Sequence, residues 1–285
     1  MAAFPLQTFY QKKRRGERIA MVSLYDAPSA RLCSEAGVDA LLIGDSMGNV
    51  ILGYDNTVSV TLNDMMCHAA AVVRGAKASS RPEVPVIADM PFGSYHGGAD
   101  DIARNGTLLM QTGVHGLKVE GGNQGTLEAV KRLTQMGAPV MGHLGFTPQS
   151  SLKFSQTVQG KTAATANELL EAAKRLEAAG CFGIVLEVMP LEVAQRITET
   201  LTIPTIGIGA GAGCDGQVLV WHDLAGLSGG EPFRFVKRYA DGYALLSQAA
   251  RDYVSEVHAG KFPASEHGWP MPAEELELWK KESKE

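Results

Sequence analysis

The sequence predicts an α/β fold, a closed (β/α)8 barrel, on three observations. Short apolar runs rich in β-branched residues alternate with longer amphipathic stretches, which is typical of parallel strands covered by helices. The chain has 285 residues, and a barrel of eight such units usually takes about 250. Nearly every predicted strand ends in a polar residue, and a closed barrel collects those ends at the face where active sites lie. A doubly wound open sheet is the alternative.

The predicted elements follow in chain order. Runs such as IAMVSLY and FGIVLEV predict strands at 19–25, 39–45, 84–90, 116–120, 138–143, 182–188, 203–208 and 218–227. Apolar residues at helical spacing, as in ATANELLEAAKRLEA, predict helices at 61–78, 99–112, 126–136, 165–179, 191–200 and 233–258. A basic N-terminal cluster is interpreted as a solvated helix face, with a targeting remnant as the alternative (Lys12, Lys13, Arg14, Arg15 and Arg18). We therefore expect one barrel domain with an N-terminal helical lead-in over 1–262, and a surface tail over 263–285.

Composition and charge restrict the class of protein. A chain that is 45% apolar and 20% charged is typical of globular proteins with one large core. A net charge of −5 argues against a nucleic-acid partner. The sequence has neither an apolar run long enough to span a bilayer nor a secretory signal at its start, so no membrane partner is expected. The four cysteines lie far apart without a C-x-x-C pair, which indicates a reducing, cytoplasmic setting.

Three acids end successive predicted strands: Asp45 in GDS, Asp89 in ADMP and Glu120 in KVEGG. A single aspartate at a strand end is more often a helix or loop cap. Three acids at neighbouring strand ends would repel one another unless a cation neutralised them. Oxygen ligands without a competing Cys/His cluster favour Mg²⁺, with water and substrate completing its octahedron. These residues are predicted as metal ligands.

Four further strand-end residues are candidates for binding and catalysis. Lys118 points to the same side as Glu120, so it is either a salt-bridge partner or a positive charge for a substrate oxygen. Glu187 interrupts the run GIVLEVMP and is either a paired buried acid or a general acid/base on the strand opposite the acids. His143 is predicted to bind substrate, with a core histidine as the alternative, and Ser46 offers a hydroxyl at the metal. The glycines of GIGAGAG resemble a dinucleotide fingerprint only weakly, because no full helix is predicted after them.

A divalent metal, a lysine and a separate carboxylate suit a 2-oxo acid that chelates the metal through its keto oxygen. The metal would polarise the carbonyl, and the base would remove a proton from the neighbouring carbon. The resulting enolate could then form a carbon–carbon bond. The residues alone therefore predict metal-dependent enolate chemistry without naming the electrophile.

The ordered motifs identify a family resemblance. GDS-x-G at 44–48, ADMPF at 88–92, KVEGG at 118–122, GHLG-x-TPQS at 142–150, LE-x-x-P at 186–190 and IGIGAG at 206–211 occur together. Over about residues 6 to 267 the chain resembles the ketopantoate hydroxymethyltransferase family. That resemblance implies a barrel of the phosphoenolpyruvate/pyruvate type. It also implies transfer of a one-carbon unit from 5,10-methylenetetrahydrofolate to 3-methyl-2-oxobutanoate, in pantothenate and coenzyme A biosynthesis.

The resemblance also implies residue roles. Asp45 and Asp89 would ligate one Mg²⁺ per subunit, with Glu120 helping directly or through water. The substrate-binding set would be Asp45, Ser46, Asp89, Lys118 and His143, and Glu187 would accept the proton. A cytoplasmic homo-oligomer, often a decamer, is typical of the family.

One segment departs from the family pattern, and two other functions stay open. SLKFSQTVQGK at 151–161 lacks the usual glycine pair, is one residue shorter, and has Lys161 where the family has arginine. It is predicted to be an active-site lid. The first alternative function is a sister carbon–carbon lyase or phosphonomutase of the same superfamily. The second is a catalytically inactive barrel kept for binding, although all the predicted site residues are present.

Overall fold

The computed structural model describes residues 6–153 and 158–283, and eight parallel strands in it form a closed barrel. The strands are β1 (Ile19–Ser23), β2 (Ala40–Ile43), β3 (Val86–Asp89), β4 (Gly116–Lys118), β5 (Val140–Gly145), β6 (Gly183–Glu187), β7 (Thr205–Ile208) and β8 (Gly216–Val220). The helices up to the last strand are α1 (Gln7–Arg15), α2 (Ala27–Glu35), α3 (Met47–Val50), α4 (Leu62–Lys77), α5 (Ala99–Gln111), α6 (Gln124–Gln135), α7 (Ala163–Ala179) and α8 (Leu191–Thr200). After it come α9 (Trp221–Leu224), α10 (Gly242–His258) and α11 (Ala273–Glu282). The predicted fold class is confirmed.

Each strand pairs with the next along the chain, and β8 pairs with β1 to close the barrel, with Ile19 opposite Gly216. Two apolar layers stabilise it. The larger lies between the strands and the outer helices, and the smaller fills the barrel interior. Leu6 and Phe9 of the N-terminal segment are buried in the inner layer, and Phe9 meets Phe182 edge to face. The N-terminal helix therefore packs at the start of the strands and leaves their C-terminal ends for chemistry.

The basic N-terminal cluster lies on α1 and the turn after it, but two of its lysines are partly buried in ion pairs, unlike the solvated face that was predicted. Lys12 lies 2.7 Å from Asp39, and Lys13 lies 2.8 Å from Asp215. These ion pairs join the helix to loops that precede β2 and β8. The cluster therefore has a structural role in the barrel.

Two element predictions are wrong at their ends. The run predicted as a strand over 218–227 forms β8 only to Val220, because residues 221–224 turn into the short helix α9 and Gly226 takes a positive φ of 65°. The helix predicted over 233–258 begins at Gly242, where the Asp241 side chain accepts a hydrogen bond from the N–H of Ala244 and caps the helix. The short helices α2, α3 and α11 were not predicted.

The chain separates into two compact units, one ending at Tyr239 and one beginning at Ala240. The first contains the whole barrel, and the second contains α10 and α11. The predicted domain limits, 1–262 and 263–285, stay a prediction. No helix among the described residues is long and apolar enough to cross a membrane.

Candidate active site

Three buried acids meet at the C-terminal end of the barrel. Asp89 is the last residue of β3, and Asp45 and Glu120 follow β2 and β4 by two residues. Carboxylate oxygens of the three lie within 4.8 Å of one another, and all three side chains are buried. The parallel register explains the meeting, because neighbouring strands deliver their carboxyl ends to the same rim of the barrel.

Two buried cationic side chains lie against these acids. Lys118 is in register with Asp89, and its Nζ lies 3.0 Å from Asp89 Oδ1 and 3.7 Å from Glu120 Oε1. His143 Nδ1 lies 3.2 Å from Glu120 Oε1 and 3.2 Å from Lys118 Nζ. Three acids thus share two basic side chains in the cluster.

The pKa values reflect this crowding. Burial, followed by the charges of Glu120 and Asp89, raises the pKa of Asp45 well above its usual range. Burial and Lys118 oppose protonation of His143, but Glu120 and Glu187 outweigh them and raise the pKa of His143 to about 9. Burial likewise raises the pKa of Asp89. The acids are costly to ionise together, which is the situation that a divalent cation relieves.

The oxygen atoms themselves fit a hard cation. Asp89 Oδ1 is buried 3.0 Å from Lys118 Nζ, and Asp89 Oδ2 accepts a hydrogen bond from the backbone N–H of Asp45 at 3.1 Å. Glu120 has both oxygens engaged, Oε1 with His143 and Oε2 with the backbone N–H of Gln149 at 3.0 Å. All three acids therefore offer carboxylate oxygens, which are the ligands that Mg²⁺ prefers.

Glu187 lies across the barrel at the end of β6 and keeps some contact with solvent, its side chain being 16% exposed. Its Oε2 lies 3.2 Å from His143 Nε2, so the imidazole stands between Glu187 and the acid cluster. Ser46, next to Asp45, is hydrogen-bonded to the hydroxyl of the buried Tyr25 at 2.8 Å. All seven predicted site residues thus lie on the β2–β6 side of one rim.

Neither Gln149 nor Tyr95 was predicted from the sequence to have a role, yet both contact the acids. Gln149 donates from its side chain to Asp45 Oδ2 at 2.8 Å, and Tyr95 donates from its hydroxyl to Gln149 Oε1 at 2.8 Å. The motif TPQS, directly after β5, was the only signal available, and it does not say where the glutamine points.

Two loops bear on the remaining predictions. Gly209 and Gly211 of the glycine-rich segment have positive φ, and a Cβ on Gly209 would lie 3.1 Å from the Phe235 ring. No helix follows this segment before β8, unlike a dinucleotide site. The predicted lid over 151–161 falls partly outside the described residues, since 154–157 are not among them. Its first part belongs to a 3-10 helix at Pro148–Lys153.

Comparison with known proteins gives a family. The model of the ketopantoate hydroxymethyltransferase family matches residues 4–265. The 3-methyl-2-oxobutanoate hydroxymethyltransferase of Thermotoga neapolitana is 49% identical over 258 residues, 90% of this chain and 93% of that protein. The enzyme of the same name from Gluconacetobacter diazotrophicus is also 49% identical, over 93% of this chain and 94% of its own length.

Solved structures resemble this one more distantly. A 2,3-dimethylmalate lyase of the PEP mutase/isocitrate lyase superfamily aligns over 99% of both chains, with a TM-score of 0.56 and 17% identity. A phosphonopyruvate hydrolase in complex with oxalate and Mg²⁺ aligns over 98% of this chain and 96% of its own, with a TM-score of 0.59 and 11% identity. At such identities the likeness concerns the fold alone. The chain belongs to the ketopantoate hydroxymethyltransferase family.

Proposed function

We propose that this member of the ketopantoate hydroxymethyltransferase family converts 3-methyl-2-oxobutanoate, 5,10-methylenetetrahydrofolate and water to 2-dehydropantoate and tetrahydrofolate. The observation that carries the proposal is the pairing of a buried acid cluster with an opposite carboxylate. Asp45, Asp89 and Glu120 form the cluster, and Glu187 faces it across His143. This arrangement separates the cation site, which would stabilise negative charge on the substrate, from the carboxylate that would remove a proton.

The cation would be Mg²⁺, held by Asp45 and Asp89, with Glu120 acting through water. This division follows the residue roles that the family resemblance implies, and carboxylate oxygens of the three acids lie within 4.8 Å of one another. When bound, Mg²⁺ would polarise the keto oxygen of the substrate and balance the charge of its enolate. Because the cluster has three acids and only two basic side chains, it can accommodate this additional positive charge.

The chain's own residues would act in sequence on the 2-oxo acid. The Lys118 ammonium and the Ser46 hydroxyl would bind its carboxylate and keto oxygens. Glu187 would accept the C3 proton on a carboxylate oxygen, and His143, 3.2 Å from Glu187 Oε2, would hold that carboxylate in position. The enolate carbon would then form its new bond to the methylene carbon of the folate. As that bond forms, one of the two C–N bonds of the methylene carbon breaks and its nitrogen takes up the proton removed from C3. Water breaks the other C–N bond, leaving its hydroxyl on the carbon as the hydroxymethyl group and its proton on the departing tetrahydrofolate.

The decisive experiment is exchange of the C3 proton of 3-methyl-2-oxobutanoate in D₂O, followed by NMR with Mg²⁺ or with EDTA. We expect exchange that requires Mg²⁺, and formation of 2-dehydropantoate once methylenetetrahydrofolate is added. Glu187→Gln should slow exchange, whereas Glu192→Gln, an exposed residue on α8, should not. Keto acid released from a 2-hydroxy acid without folate would favour the sister-lyase function. A folded protein with neither reaction would favour a binding role.

We also propose a cytoplasmic homo-oligomer, a decamer being typical of the family. All four cysteines are free thiols, in keeping with a reducing compartment. The unit beginning at Ala240 carries many exposed apolar side chains, including Tyr243, Leu246 and Trp269, which favours contact with further copies of the chain. Sedimentation velocity would give the number of copies, and a monomer at micromolar concentration would contradict the proposal.

A further inference from the structure

Gln149 lies in the 3-10 helix that follows β5, and every polar group of its side chain has a partner. Its Nε2 donates to Asp45 Oδ2 at 2.8 Å and to the carbonyl oxygen of Met90 at 3.0 Å. Its Oε1 accepts from the Tyr95 hydroxyl at 2.8 Å. The side chain is 5% exposed, so none of these bonds can be replaced readily by bulk water.

The orientation of this amide is dictated by its surroundings. Turning it over would place Oε1 against a carboxylate oxygen and a carbonyl oxygen, both of which only accept hydrogen bonds. The two hydrogen bonds from Nε2 would be lost, and the oxygens of Asp45 and Met90 would both repel Gln149 Oε1. The Gln149 amide therefore presents its N–H groups to Asp45 in a single, fixed way.

The same residue also reaches the second acid. The backbone N–H of Gln149 donates to Glu120 Oε2 at 3.0 Å. Tyr95, which is buried, accepts the backbone N–H of Glu120 at 3.2 Å on the hydroxyl that it donates to Gln149. One tyrosine–glutamine pair thus joins loops after β3, β4 and β5 to Asp45.

We infer that Gln149 is a positioning residue for the cation site, an inference that rests on the proposed function. By occupying Asp45 Oδ2 and Glu120 Oε2, it fixes both carboxylates and directs the cation to the remaining oxygen of Asp45 and to Asp89. Tyr95 keeps the Gln149 amide in the orientation that this requires. Removing a hydrogen-bond partner of a metal-ligating side chain commonly weakens metal binding about 10- to 100-fold.

The test is titration of the metal-free enzyme with Mn²⁺ by calorimetry, with the electron paramagnetic resonance spectrum of bound Mn²⁺ as a second readout. Gln149→Met keeps the length of the side chain and removes the amide, and we expect its Mn²⁺ affinity to fall about 10- to 100-fold. Tyr95→Phe removes one oxygen atom and should weaken binding by a smaller factor. Gln195→Met, the same substitution on the exposed surface of α8, is the matched control and should bind like the wild type.

The double variant of Gln149 and Tyr95 separates positioning from simple packing. Because both residues act on Asp45 through one amide, their effects on Mn²⁺ affinity should be less than additive. Wild-type affinity in both single variants would overturn the inference, even if their unfolding temperatures fell, since that result describes a loop anchor. If Gln149→Met does not fold, Tyr95→Phe alone decides between these outcomes.

Failure of the proposed function gives a different result. If the wild type bound no Mn²⁺, or if Asp89→Ala bound it as tightly as the wild type, the cation site itself would be wrong. If the wild type binds Mn²⁺ through Asp89 and the Gln149 and Tyr95 variants are unaffected, only the positioning role is wrong.

Discussion

Val188, directly after Glu187, carries the most testable strain in the molecule. It has a φ of +45°, and no other non-glycine residue among those described has a positive φ. A β-branched residue in this region is a real outlier. Its backbone is held by its own N–H, which donates to the Ile208 carbonyl at 2.9 Å, and by the N–H of Gln159, which donates to the Val188 carbonyl at 3.1 Å. We predict that this strain sets the direction of the Glu187 side chain.

The magnitude follows from comparing Val188→Gly with Val188→Ala. Both remove the valine side chain, so the loss of its packing largely cancels. The left-handed conformation costs a residue with a Cβ about 1–2 kcal/mol. At an ordinary position glycine is less stable than alanine by roughly 0.5–1 kcal/mol. At Val188 the order should therefore reverse, with the glycine variant more stable by about 1 kcal/mol, or roughly 2–4 °C in unfolding temperature.

The assay is calorimetric or urea unfolding of the two metal-free variants, with Val193 of α8 as the matched position. Val193 is also half-buried but lies in a regular helix, so there the alanine variant should be the more stable one. If Val188→Gly were less stable than Val188→Ala, as at Val193, the positive φ would carry no strain and the reasoning would fail. After Mg²⁺ is added back, Val188→Gly should turn over more slowly than the wild type, because a relaxed backbone no longer holds the Glu187 side chain in one direction.

Three further predictions concern the site and one helix cap. Asp89→Ala should abolish Mn²⁺ binding and Mg²⁺-dependent proton exchange, and exchange at the wild-type rate would contradict its assignment as a ligand. Glu187→Gln should bind Mn²⁺ normally but exchange the C3 proton at least about 100-fold more slowly; an unchanged rate would exclude it as the base. Hydrogen bonds from Thr61 lower the pKa of Asp64 in the capping box of α4, so Asp64→Ala should lower the free energy of unfolding by about 1 kcal/mol at pH 7. A lowered carboxyl pKa contributes its full stabilisation above the unfolded value of about 4, and this contribution is lost as pH falls from there through the lower folded pKa. Unfolding curves of wild type and variant should therefore differ less at pH 3 than at pH 6, and an equal difference at both would contradict the prediction.

The barrel was predictable because its strands are buried on both faces and read as continuous apolar runs. The pattern cannot report where such a run stops being a strand. VLVWHDLAGL is apolar throughout, yet Val220 ends β8, and a helical turn follows because Gly226 supplies the left-handed residue that closes it. The start of α10 likewise depends on one cap, Asp241, and not on the apolar spacing that began earlier in the sequence.

The acids of the site were predictable for a reason that does not extend to Gln149. Asp89 and Lys118 stand at strand ends, and the parallel register places them side by side, so their position in the sequence determines their place in the barrel. Gln149 reaches Asp45 across 104 residues from the short 3-10 helix after β5, and no periodicity sets that contact. The positions of the strands bring the charged side chains together, whereas the segment after β5 determines how their carboxylate oxygens are oriented. Glu120 illustrates the difference, because its place two residues after β4 makes it a candidate ligand, while the N–H of Gln149 and the ring of His143 determine how its oxygens are turned. A cation bound at this rim would therefore meet carboxylates whose orientation the segment after β5 has already set.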